Sequence, residues 1–236
     1  MEISSKDNQC GIDLNNPPST RGEKAKEIFD IEIVRATEES LFGYGRPVTD
    51  FTTEQLDIVP FPLPVGSWRS LVPGTGIEGG YVEDVFECER IGNVQYSINV
   101  GLKRRYIIGW YGDDPCHAAS STSDPVLSPT YILTHEANYH PDGGQIISSR
   151  DGKSPFVLLL APPGDTITPK SFKAFYIDPT TNVKGVHINP GTWHQPAFPV
   201  NGSGIMNNRQ GKVHGCVAAS FTHEFNGYLR VPLTLT

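Results

Sequence analysis

Short apolar segments separated by turn-forming residues constrain this chain more than any other feature. From residue 81 onward, "YVEDVFECE", "VQYSINV", "FVLLLA" and "GVHI" have the length and pattern of β-strands. Between such segments lie "PDGG", "RDGKSP" and "NPGT", which are rich in residues that favour turns. The 236 residues include 24 Gly and 20 Pro, which disfavours long helices. The sequence therefore predicts an all-β fold, either a sandwich or a barrel.

The first part of the chain differs from the rest. Residues 1–27 contain few large apolar side chains, so we predict a flexible N-terminal extension. Residues 28–236 are long enough for a single domain with a substantial core. Within that domain, "TEESLFGYG" predicts one short helix, with Thr37 as its N-cap and Gly43 or Gly45 at its end.

Charge and cysteine content exclude several classes of protein. The net charge is −7, and the only dense basic cluster is 103–105, which argues against a nucleic-acid partner. No apolar run approaches the roughly 20 residues that a membrane helix needs. Cys10, Cys88, Cys116 and Cys216 are scattered and form no CxxC pair. With no signal-peptide pattern at the N-terminus, we expect a reducing, cytoplasmic location.

The stretch "NYHPDGGQ" carries the first indication of a functional site. On a strand, Asn138 and His140 share one face, and Gln145 follows the "PDGG" turn. Cupin-type β-barrels carry His-x-His, four further residues and then Glu, followed later by Gly-x-x-His. The second pattern falls on Gly191 and His194. The spacing matches throughout, while Asn and Gln replace His and Glu. The stretch therefore predicts a metal site, an altered metal site or a polar turn.

Further residues near these motifs have structural and functional interpretations. Trp193 either shapes a pocket beside His194 or fills the core, as large aromatic residues usually do. His187 lies on a predicted strand and is a candidate for substrate binding or for a structural hydrogen bond. Glu136 is expected to point away from the face that carries Asn138.

Two separated stretches resemble a known family. "HEANYHPDGGQ" and "GVHINPGTWHQP", together with "FVLLLA" and "FKAFYI", are similar to ureidoglycolate lyases. "ATEESLFGYGRPV" resembles the N-terminal helix and turn of that family, so the likeness spans about residues 31 to 225. It implies a cupin-type double-stranded β-helix, or jelly-roll barrel, with one or two short helices. It also implies a carbon–nitrogen lyase that cleaves ureidoglycolate to glyoxylate and urea during purine (allantoin) breakdown.

The resemblance assigns roles to the candidate residues. Ureidoglycolate carries a hydroxyl, a carboxylate and a urea nitrogen on one carbon. Cleavage removes the hydroxyl proton and protonates the departing nitrogen, and imidazole suits both steps. His140 and His194 are therefore the expected catalytic pair. Asn138 and Gln145 are expected to bind the carboxylate or the urea amide.

A divalent metal ion bound at this site would give a different mechanism. The ion would acidify the substrate hydroxyl, and free imidazoles would no longer act as acid and base. His140, Gln145 and His194 would then be its ligands, and the two histidines would not act as bases. The sequence is also compatible with a metal-dependent cupin enzyme acting on another small carboxylic acid, and with a non-catalytic protein that binds such an acid. In each case the expected partner is a small carboxylate, and the expected assembly is a homodimer.

Overall fold

The computed structural model describes residues 27–59, 71–72, 79–101, 103–118, 124–213 and 215–235. It confirms the prediction of an all-β protein. Eighteen strands are present in this part of the chain. They are β1 (Glu27–Asp30), β2 (Ile33–Arg35), β3 (Gly45–Val48), β4 (Leu71–Val72), β5 (Tyr81–Ile91), β6 (Val94–Asn99), β7 (Arg104–Trp110), β8 (Tyr131–Thr134), β9 (Glu136–Tyr139), β10 (Gln145–Ser149), β11 (Phe156–Ala161), β12 (Lys173–Ile177), β13 (Gly185–Ile188), β14 (Trp193–His194), β15 (Phe198–Pro199), β16 (Gly204–Gly211), β17 (Cys216–Ser220) and β18 (Gly227–Pro232).

The helices are short, as the turn-rich sequence predicts. They are α1 (Glu38–Leu41), α2 (Pro115–Ala118) and α3 (Phe221–Glu224), with a 3-10 turn at Pro169–Ser171. Thr37 caps α1 as expected, because its side chain accepts a hydrogen bond from the Ser40 backbone N–H. Gly43 follows with a φ of +88°, a conformation that glycine adopts without a steric penalty.

The strands form two sheets. The order in the larger sheet is β1-β18-β8-β7-β6-β5-β16-β10-β13-β3, and in the smaller β2-β12-β11-β14-β9-β17-β4, with β15 pairing to β11. Nearly all neighbouring strands are antiparallel, whereas β1 pairs with β18, and β2 with β12, in parallel. Consecutive strands β1 and β2 therefore join different sheets, so residues 27–35 hold the two sheets together. The predicted extension is outside the described residues except for Glu27, which lies in β1.

An interior strand of the smaller sheet, β11, explains the long apolar run "FVLLLA". All six residues of β11 are buried. Phe156, Leu158 and Leu160 belong to one apolar cluster, and Val157 and Leu159 to another. A strand buried on both faces has no polar alternation, which is why "FVLLLA" is continuous. No helix in the described part of the chain is long and apolar enough to cross a membrane.

Truncation of β11 tests this core. Leu158 is fully buried, so Leu158→Ala should lower the free energy of unfolding by about 2–5 kcal/mol. Leu127→Ala is the matched control, because Leu127 is 87% exposed and the same truncation leaves no internal cavity. Urea denaturation of both variants measures the difference. Equal, small losses would contradict the double-sided burial of β11.

Candidate functional site

A cavity of about 50 Å³ lies between the two sheets. Its apolar walls include Phe86, Tyr106 and Ile108 from β5 and β7 of the larger sheet. Polar side chains from β9, β10, β14 and β16 line the remainder. The volume suits a few water molecules or a small ligand, since one water needs roughly 10–15 Å³ by this measure.

Four of the predicted site residues meet in this cavity. Asn138, His140, Gln145 and His194 all line it, although they come from strands of both sheets. Asn138 and His194 are directly paired across β9 and β14. The ring centroids of His140 and His194 are 5.3 Å apart. Two histidines that are far apart in the sequence therefore share one small pocket with two amides.

Backbone carbonyls fix the orientation of both imidazoles. Nδ1–H of His140 donates to the Gly215 carbonyl at 2.7 Å, and Nδ1–H of His194 donates to the Thr192 carbonyl at 2.8 Å. A carbonyl only accepts, so these bonds place the proton of each neutral ring on Nδ1. Nε2 is then the basic atom of each ring.

Burial keeps the two rings neutral. Desolvation lowers the pKa of His140, opposed by its bond to Gly215 and by the negative charge of Asp142. Desolvation, together with the neighbouring His140, lowers the pKa of His194 to about 3. Each imidazole is therefore uncharged near neutral pH.

Glu136 also lines the cavity, contrary to the sequence expectation. Residues 136 and 138 are two apart on β9, so their side chains project from the same face. Strand alternation therefore places Glu136 on the same face as Asn138, and the expectation that it points away was wrong. Its carboxylate is the only one among the described lining residues, which include no Lys or Arg. Gln210 on β16 and Gln195 are further lining residues that no sequence motif indicated.

Trp193 does not line the cavity. It precedes His194 on β14 and therefore points to the opposite face of the smaller sheet. There its ring packs edge-on against Tyr139 at a centroid distance of 4.7 Å, and its indole N–H donates to the Gly164 carbonyl. Trp193 thus occupies a core position and is not part of the cavity wall that its neighbour His194 lines.

His187 lies on the outer face of the larger sheet, away from the cavity. It pairs with Ile146 across β13 and β10, whereas the neighbouring Gln145 faces inward. Nδ1–H of His187 donates to Glu54 Oε1 at 3.1 Å, and its Nε2 lies 3.4 Å from Asp57 Oδ2. Burial is the main cause of its lowered pKa, and Arg46 adds to the effect.

The residues that cover His187 form a strap, which we define as residues 50–59. Glu54 of the strap accepts a hydrogen bond from Arg46 Nε at 2.9 Å, and Asp57 accepts one from Arg46 Nη1 at 3.0 Å. Arg209 donates to the backbone carbonyl of Glu54. Acidic strap residues therefore meet basic residues on the outer face of the sheet.

The strap is also joined to the turn between two cavity residues. The Val59 N–H donates to the Asp142 carbonyl, and the Gly144 N–H donates to the Asp57 carbonyl, each at 2.9 Å. Residues 142–144 lie between His140 and Gln145 in the chain. The strap thus holds the backbone of the turn that spaces these two side chains.

The donor set of the cavity bears on whether a metal ion is held there. Among the described residues, no group of three or more His, Cys, Asp or Glu is arranged to hold a metal ion. His140 and His194 supply two imidazoles, and Gln145 supplies only a neutral amide. The Glu136 carboxylate lines the same cavity, but it does not form a metal-holding group with the two imidazoles. Resident zinc and other transition metals are usually held by at least three of the stronger donors. The set therefore does not fit a tightly held resident ion.

Similarity to known proteins agrees with the sequence motifs. No protein-family model matches the chain. A ureidoglycolate lyase of Pseudomonas paraeruginosa is 28% identical over 148 residues, which cover 60% of this chain and 83% of that protein. A ureidoglycolate lyase of Pseudomonas aeruginosa strain LESB58 is 27% identical over 143 residues, which cover 58% of this chain and 81% of that protein. The sequence identity is low, and the aligned residues cover only about three fifths of this chain.

Acidification is expected to destabilise the fold through its buried histidines. Burial lowers the pKa of His135 and of His194 from 6.5 to about 3. Between about pH 3 and pH 6.5, these two histidines are protonated in the unfolded chain but not in the folded chain. Stability should therefore fall as pH drops below 6.5, by roughly 1.4 kcal/mol per pH unit for each histidine. Urea denaturation at several pH values measures this slope.

His135→Asn isolates one of these contributions. His135 packs against Trp110 and neither ring nitrogen has a hydrogen-bond partner in the described part of the chain, so its titration depends mainly on burial. In the variant, the slope of the unfolding free energy against pH should decrease by the contribution of one histidine, about 1.4 kcal/mol per pH unit. An unchanged slope would show that His135 takes up its proton in the folded state.

Proposed function

We propose that the protein is a carbon–nitrogen lyase that cleaves ureidoglycolate to glyoxylate and urea inside a cupin-type barrel. The observation that carries the proposal is the convergence of His140 and His194, with Asn138 and Gln145, in one cavity. These residues belong to the two stretches that resemble ureidoglycolate lyases. The distant similarity to the two Pseudomonas enzymes supports the same activity. The small cavity volume favours a compact substrate.

The proposed reaction moves one proton. The Nε2 atom of one imidazole takes the proton of the substrate hydroxyl as the carbon–oxygen double bond forms. The carbon–nitrogen bond breaks, and the same proton is delivered to the departing urea nitrogen. Because Nδ1–H of each ring donates to a carbonyl, Nε2 is the ring atom whose lone pair can take up this proton. Positioned proton transfer of this kind contributes about 10²–10⁴-fold to a rate.

The remaining polar groups have complementary roles in the proposal. The carboxylate of Glu136 lies in the same cavity and favours the transient imidazolium. Asn138 lies opposite His194 in the pairing of β9 and β14, and its side-chain amide can donate to the substrate carboxylate. No step passes through a metal ion, because the donor set does not fit one.

Glyoxylate release tests the proposal. The purified protein is incubated with ureidoglycolate, with and without a chelator, and release is compared with the spontaneous background. His140→Ala and His194→Ala should each reduce the rate by about 10²-fold or more. His223→Ala is the matched control, because His223 is exposed on α3, outside the cavity, and should retain the parent rate.

Each competing function gives a different result in the same assay. Loss of activity with chelator, and recovery with added metal ion, would replace the acid–base mechanism by a metal-assisted one. No release above background would reject ureidoglycolate as the substrate. Binding of small carboxylic acids without turnover would then identify a binding protein.

A further inference from the structure

Three side-chain amides form a ring of hydrogen bonds at one side of the cavity. Nε2 of Gln145 donates to Asn208 Oδ1 at 2.7 Å and to Gln210 Oε1 at 3.2 Å. Nδ2 of Asn208 donates to the same Gln210 oxygen at 3.1 Å. Gln145 is paired with Gln210 across β10 and β16, and Asn208 is two residues away on the same face. The ring is therefore built into the register of the sheet.

This ring leaves one atom of Gln145 without a partner. A primary amide has two N–H bonds, and both of those on Gln145 are used within the ring. Its carbonyl oxygen Oε1 is buried and has no hydrogen-bond partner in the described part of the chain. Gln145 is 4% exposed and lines the cavity. A buried amide oxygen without a donor bears an uncompensated desolvation cost, which a ligand N–H would remove.

The ring also determines which end of the amide remains unpaired. Rotating the Gln145 amide alone by 180° would place its oxygen against the oxygens of Asn208 and Gln210. The remaining cavity groups are consistent with a donor-rich ligand. Glu136 contributes a carboxylate, and the two imidazoles contribute Nε2 acceptors, while none of the described lining residues is Lys or Arg.

We propose that the Gln145 carbonyl accepts an N–H of the ligand's ureido group, and that Asn208 and Gln210 are the residues that orient it. This inference rests on the proposed function for the choice of a ureido ligand. It identifies Gln145 as the residue that selects a ureido acid over an acid of the same shape with fewer N–H donors. Sites built to pair a ligand N–H reject analogues that lack it, because the site's own polar atom is then left unpaired.

Binding of two non-reactive ligands tests the inference. N-carbamoylglycine carries the ureido group but lacks the hydroxyl whose proton must be removed, so it binds without being cleaved. N-acetylglycine replaces the terminal NH₂ by CH₃ at nearly equal size. Calorimetry on chelator-treated protein should show N-carbamoylglycine binding about tenfold more tightly. Equal affinities would overturn the inference.

Variants assign the preference to the ring. Gln145→Met keeps an unbranched side chain of similar volume without the carbonyl, and should bring the affinity ratio close to one. Asn208→Leu removes a ring partner and should weaken the ratio. Asn207→Leu is the matched control, because Asn207 is the adjacent residue on β16 and does not line the cavity. Thermal unfolding of each variant verifies that it is folded.

The outcomes separate this inference from the proposed lyase activity. A ureido preference that depends on Gln145, without glyoxylate release from ureidoglycolate, would support the inference and reject the lyase. Glyoxylate release without that preference would reject the inference alone. A preference that appears only when a divalent metal ion is added would identify the Gln145 oxygen as a metal ligand and overturn the inference.

Discussion

The site depends on one constraint, which is that polar groups buried between two apolar sheets need hydrogen-bond partners. His140 and His194 meet it through the carbonyls of Gly215 and Thr192, the residues that immediately precede β17 and β14. Gln145 meets it only for its N–H groups, which donate to amides of β16, while its carbonyl oxygen has no partner in the described part of the chain. Each bond also restricts rotation, so the same contacts that make burial tolerable fix which ring nitrogen and which amide atom are hydrogen-bonded within the protein.

Contacts on the outer face of the larger sheet help to hold the cavity residues in place. Arg209 lies between Asn208 and Gln210 on β16, with its side chain directed outward to the strap. His187 is similarly directed outward, where it meets Glu54. β16 thus carries two amides of the ring on one face and a contact of the strap on the other. Since the strap also bonds to residues 142–144, the turn from His140 to Gln145 is restrained.

Much of the fold was predictable because short strands leave a local signal. The turn-bounded apolar segments correspond to strands, and Thr37 caps a short helix as its sequence indicates. In the site, the spacing of Asn138, His140 and Gln145 was informative, because alternation and one turn determine which side chains share a face. The amides on β16 have no motif, since Asn208 and Gln210 reach the cavity only through strand pairing. The same holds for the strap, whose partners are distant in sequence.

The sequence by itself determined the strand-rich architecture, the alternation that directs Asn138 inward with His140, and the likeness to ureidoglycolate lyases. These properties depend on local spacing and composition. Only the tertiary structure decided that His140 and His194 meet in one cavity, that Trp193 packs in the core, and that His187 lies under the strap. The reason is physical: a strand's periodicity specifies two faces, but which face meets the cavity follows from pairing and packing between segments far apart in the chain.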